Sequence, residues 1–185
     1  MALIKLNNRG VRNVSTFGSV GGGSMTFIKK LTASSSATLS FEDGSASVVL
    51  DDTYKEYMFT FNNIHPETDN TEFSFQGNAA GGSGYDETIT STFFQAFHNE
   101  AGTDTGLQYS ASADLAQGTG FQNIVRSQGS DNYQSVSGYL RLFNPSYTTF
   151  VKHFLGHANQ AQNSDATYNT YFAGYFNTTS AIDEI

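Results

Sequence analysis

Tyr57-Met58-Phe59-Thr60-Phe61-Asn62 alternates aromatic side chains with other residues and closes on Phe-Asn. Successive side chains of a strand point to opposite faces, so Tyr57, Phe59 and Phe61 share one face and Met58, Thr60 and Asn62 the other. Two further stretches close in the same way: Tyr139-Leu140-Arg141-Leu142-Phe143-Asn144 and Phe172-Ala173-Gly174-Tyr175-Phe176-Asn177. Asparagine tolerates turn geometry, so each run reads as a strand that stops at its Asn.

Working outward, 185 residues with 16 Phe and 10 Tyr suffice for the core of one all-β domain. Only 14% of the residues are charged, which implies an uncharged polar surface with many short turns. Zero cysteine excludes disulfides, thiolate metal sites and a cysteine nucleophile. No stretch approaches the ~20 apolar residues of a membrane span, and no signal-peptide pattern opens the chain, so neither insertion nor secretion is indicated. A net charge of -8 argues against a nucleic-acid partner, because such proteins gain affinity by neutralising phosphates. The charge is also unevenly placed. Lys5, Arg9, Arg12, Lys29 and Lys30 all precede the first acid, Glu42, and the other four basic residues share the remaining chain with all 17 acids.

This basic front divides at Gly21-Gly22-Gly23-Ser24, a glycine-rich break that frees the segment before it from the body. Residues 1–24 are expected to form an N-terminal arm and glycine-rich linker, with a first hairpin of the body as the alternative, and residues 25–185 a β-sandwich body. Strands are expected near 25–31, 36–41, 46–50, 54–64, 71–76, 88–98, 106–111, 121–126, 134–143, 147–157 and 168–177. Turn residues punctuate them, as at Glu42-Asp43-Gly44-Ser45 and Asn144-Pro145-Ser146. Helical periodicity is nearly absent, and Ser112 to Gln117 reads as a short turn. The fold class is therefore all-β, an antiparallel two-sheet sandwich of jelly-roll-like type.

Motifs that carry chemistry are weak. His153 and His157, four apart on one strand, would sit ~13 Å apart, too far to share a metal. His98 and His65-Pro66 end a strand and open a loop, and packing or capping roles suit them. Asp43, Asp51-Asp52 and Asp86-Glu87 match no calcium-loop spacing, and adjacent acids on a strand face apart, unlike a glycosidase pair. The glycine-rich break lacks the Lys-Ser/Thr of a phosphate loop, and there is no Gly-x-Ser-x-Gly elbow. We therefore expect no catalytic residues, metal or cofactor. Tyr85, Tyr109, Tyr133 and Tyr147, in or beside loops, are candidates to stack on a glycan; covering a core edge or an oligomer contact is the competing role.

Several stretches resemble small virion proteins of marine tailed bacteriophages, those infecting cyanobacteria and abundant ocean heterotrophs. The resemblance lies in Ala2-Leu3-Ile4-Lys5-Leu6-Asn7-Asn8-Arg9, Phe61-Asn62-Asn63-Ile64-His65-Pro66, Asp114-Leu115-Ala116-Gln117 with Gly120-Phe121-Gln122-Asn123, Leu142-Phe143-Asn144-Pro145 with Thr149-Phe150-Val151-Lys152-His153, and Ala173 to Ile182. It implies a virion component made in the host cytoplasm: a short attachment segment, with Lys5, Arg9 and Arg12 docking on capsid or tail proteins, and a lectin-like β-sandwich body. It also implies a homo-oligomer, a trimer by analogy, and cell-surface polysaccharide as a further partner. Relatives are expected to continue past Ala181-Ile182 into another strand pair.

Overall fold

A computed structural model describes residues 25–185. Its eleven strands are β1 (Glu56–Ile64), β2 (Thr71–Phe75), β3 (Asn78–Ala79), β4 (Ile89–Asn99), β5 (Thr105–Tyr109), β6 (Ala116–Gly118), β7 (Gln122–Gln128), β8 (Val136–Phe143), β9 (Lys152–Gln162), β10 (Ala166–Phe176) and β11 (Ile182–Glu184). All pairings are antiparallel, and the larger sheet runs β1-β8-β9-β10-β4-β5, with β6 beside β5 on the far edge of β4. The pair β2-β7 lies over one face of this sheet, joined to it by a single pairing of Gln128 with Gln162, and β3-β11 makes a second small ribbon. The expected antiparallel sandwich is the fold, with one broad layer and one narrow one.

The inward face is built from ring-and-glycine pairs. Phe172 on β10 lies opposite Gly156 on β9, and Phe154 on β9 opposite Gly174 on β10. A Cβ on Gly156 would fall 2.1 Å from the Phe172 ring, so the missing side chain is the space the ring occupies. Phe75 on β2 closes the stack from the other layer, 5.1 Å from Phe154 at a right angle and 6.0 Å from Phe172. Ile89, Phe93, Ile124, Val125, Leu140, Leu142, Phe176 and Ile182 complete this buried core.

Two of the three Phe-Asn pairs end strands as expected: β8 stops at Phe143, with Asn144 at φ 46°, and β10 stops at Phe176. The first does not. After Phe61 the strand bulges, Asn63 takes φ 52° while its N–H donates to Ser137 Oγ, and pairing resumes at Ile64.

Strands expected at 25–31, 36–41 and 46–50 are not formed. Met25 and Phe27 are largely exposed, and the backbone pairing of this segment is confined to Phe41–Asp43, which meet Asp183–Ile185 in a single antiparallel bridge; β propensity with so little partner does not make a strand. Ala46 and Ser47 have positive φ, which extended backbone forbids. The segment instead closes a second small core of Val48, Leu50 and Tyr57 with Ile28, Phe41, Tyr54 and Phe59. Residues 147–151, expected to open a strand, are also irregular, and β9 begins only at Lys152. Ser112 to Gln117 is a turn that runs into the short β6.

Candidate functional site

The outward face of the broad sheet follows from the same alternation that fills the core. Register places Thr60, Tyr139, His157, Tyr171, Phe94 and Tyr109 in one row across six strands. The His157 and Tyr171 rings stack at 4.3 Å and 12°, and Tyr171 stacks on Phe94 at 5.3 Å and 13°. Tyr139 meets His157 edge-on at 6.0 Å and carries the Arg141 guanidinium over its own ring. Asn169 Oδ1 can only accept, so His157 Nε2 carries the proton of the hydrogen bond between them. The central rings therefore stand side by side, faces spent on each other and edges toward solvent.

Among the described residues, the outward positions of these six strands carry two charges, Glu56 and Arg141, which pair at 3.3 Å. The rows flanking the rings hold Leu155 and Ala173 on one side and Asn159, Asn169, Ala96 and Leu107 on the other. Phe94, Leu107, Tyr109, Leu155 and Tyr171 are all exposed. In a chain of net charge -8 this is a ring-rich surface whose two outward charges neutralise each other.

A second feature lies at the end of the sandwich, between the β8–β9 loop and residues 177–181. It is an open cleft of about 430 Å³ lined by Phe143, Asn144, Tyr147, Thr149, Phe150, Val151, His153 and Thr179. Tyr147 and Phe150 are 49% and 66% exposed, with ring centres 5.9 Å apart and planes tilted by 41°, so the two rings contact each other while much of each stays open to solvent. Beneath it Lys152 is 1% exposed, and its Nζ donates to the carbonyls of Phe150 (2.8 Å), Thr179 (3.3 Å) and Thr178 (3.5 Å). Burial holds this ammonium below the ordinary lysine range. The lysine ties the two walls together, and Ile182 N–H adds a second tie to Pro145 O at 2.9 Å.

The four candidate tyrosines do not gather. Tyr109 alone belongs to the outward row, and its hydroxyl donates to Asp114. Tyr85 donates to Ser40 Oγ at 2.9 Å and Tyr133 to Asp165 Oδ1 at 2.9 Å, while Tyr147 lies in the cleft, past the opposite end of β8 from Tyr133. Lys5, Arg9 and Arg12 lie outside the described residues.

The hydrogen bond to Asp165, with smaller effects of burial and of the Asp165, Asp131 and Glu100 charges, pushes the Tyr133 phenol up to about 12. Since this lies above the unfolded value of roughly 10, the contact's stabilisation is whole below that pH and vanishes as pH rises through about 12. Ultraviolet titration of phenolate should resolve this late-ionising tyrosine, and Tyr133→Phe should remove it.

Of the remaining histidines, His65 Nδ1–H donates to Gln134 O at 2.7 Å, and His153 projects outward, its ring 5.9 Å from Tyr175. Three of the five carboxylates weighed against a calcium loop accept from main-chain amides. Asp43 Oδ1 accepts from Leu50 N–H, Asp51 Oδ1 from Thr53 N–H, and Glu87 Oε1 from Ala79 N–H. The outward row was missed in the sequence, although Phe93-Phe94 and Tyr171-Phe172 signal it. Adjacent rings on a strand face apart, so one of each pair has to leave the core.

No family of known proteins, no curated relative and no solved structure matches the chain.

Proposed function

We propose that this chain is a noncatalytic structural component of a tailed-phage virion, a capsid decoration or fibre or tail appendage, whose sandwich body assembles with further copies through the outward face of its broad sheet. The observation that carries the assembly is the face's lack of net charge, its two outward charges being paired with each other. Copies that repel each other elsewhere meet there without charge conflict, and ring edges and aliphatic groups are suited to a dry contact. Its size is adequate: six strands roughly 4.8 Å apart and about eight residues long give a face of about 750 Å², close to the ~800 Å² each partner contributes to a standard interface. The virion assignment draws on the sequence resemblance, with the basic front of the chain as the docking arm.

Ala173→Glu tests the assembly. Ala173 is exposed mid-face between Leu155 and Thr92 and fills no core, so the variant should fold unchanged and run as a monomer where the parent chain runs as an oligomer by light scattering. A parent chain that is monomeric at micromolar concentration, or a variant that assembles normally, rejects the interface. Deleting residues 2–18 should separately abolish incorporation into particles while the body stays folded. The alternative role, a receptor- or glycan-binding module on the virion surface, gains little from the outward row, whose central ring faces are stacked on each other, and more from the cleft.

A further inference from the structure

We infer that the cleft between the β8–β9 loop and residues 177–181 is a binding site for an uncharged sugar unit, such as one residue of a neutral polysaccharide. This deepens the glycan-binding alternative and does not depend on the oligomer. A sugar ring offers a face of C–H groups and a rim of hydroxyls, so its site needs open aromatic faces beside uncharged donors and acceptors. Tyr147 and Phe150 supply the faces. They are more exposed than Tyr171 and Phe94 and are tilted rather than stacked on each other, which leaves ring surface for a sugar to meet.

The polar complement is unspent. Asn144, Thr149, His153, Thr179 and the Tyr147 hydroxyl make no side-chain hydrogen bond within the described residues. The hydroxyls of Tyr85, Tyr109 and Tyr133 are already donated to Ser40, Asp114 and Asp165, which makes Tyr147 the one candidate tyrosine with its hydroxyl available. Among the described residues, no carboxylate, lysine or arginine lines the cleft, so it is matched to a neutral ligand rather than an acidic one. The walls are also held in advance. Lys152 joins the Phe150 wall to the Thr178–Thr179 wall from below, and Ile182 pins the turn at Pro145, which lowers the ordering cost of binding. Lys152 acts here as a positioning residue, out of the ligand's reach.

The test titrates the full chain with a panel of neutral oligosaccharides (gluco-, manno- and galacto-configured) and, in parallel, with uronic-acid oligomers, following ligand saturation transfer and chemical shifts by NMR. Saturable millimolar binding of at least one neutral sugar is expected, with transfer to aromatic protons and a loss of about tenfold or more in the Tyr147→Ala, Phe150→Ala double variant. That variant should keep the parent melting temperature, because both rings are exposed. Absence of saturable binding across the neutral panel, binding untouched by the double variant, or preference for the uronic acids overturns the site. Repeating the titration on Ala173→Glu separates the two proposals: retained binding there leaves the cleft standing even where the sheet-face assembly has failed.

Discussion

Phe172→Ala is expected to remove about 3–5 kcal/mol of stability, the range for deleting a buried aromatic ring whose surroundings collapse only in part. Phe172 is 2% exposed, fills the space above Gly156 and packs on Phe75 from the opposite layer. Relaxation is limited, since Gly156 has no side chain to move into the void. Total stability of a domain is about 5–15 kcal/mol, so the variant should unfold at a much lower urea midpoint with little change in slope. Its neighbour supplies the control. Tyr171→Ala, one position along but outward, loses stacking on His157 and Phe94, each pair being worth about 0.5–1.5 kcal/mol. Equal losses from the two substitutions would contradict the division of the strand into core and outward faces.

Gly138→Val should cost about 3 kcal/mol, at the upper end for overpacking, and yield largely insoluble protein. A Cβ at Gly138 would fall 2.4 Å from the His157 carbonyl oxygen and 2.7 Å from the Ala158 Cα, both main-chain atoms of the neighbouring strand. A ring can swing aside, but a ladder yields only by breaking its pairing. The β8–β9 register would shift locally, carrying Tyr139 away from His157 and disturbing the outward row as well. Gly156→Ala provides the comparison, because there the nearest atoms to the added one belong to the Phe172 ring rather than to a main chain, and a smaller loss with soluble expression is expected. Thermal melts and soluble yield of the two variants check this.

The alternation around Tyr57, Tyr139 and Phe172 made the sheet legible because burial imposes its period directly on sequence. It failed for 25–50 because hydrophobic and β-branched residues there satisfy propensity while their pairing is limited to the bridge of residues 41–43 with 183–185, and pairing is not written locally. Register is likewise non-local. Nothing in Phe94, Tyr109, Tyr139, His157 and Tyr171 taken singly announces that the five share one row; that follows only once β4, β5, β8, β9 and β10 are aligned. The cleft was half visible, through Tyr147 and the Asn144-Pro145 turn. Its other half depends on Thr178 and Thr179 returning beside them and on a lysine at an inward position, where a charge is the residue least expected.

The bulge at Asn63 has a counterpart on the far side of the broad sheet. There β4 is flanked by β5 and β6, five and three residues long, while β1 on the near side is kinked before it ends. Among the described residues neither border offers a long straight row of unpaired amides, so one molecule has little purchase for extending its ladder into the next. Growth by endless sheet continuation is discouraged, which for the assembly proposed above would leave face-to-face contact as the route between copies. The blunt borders thus act as a safeguard against fibres.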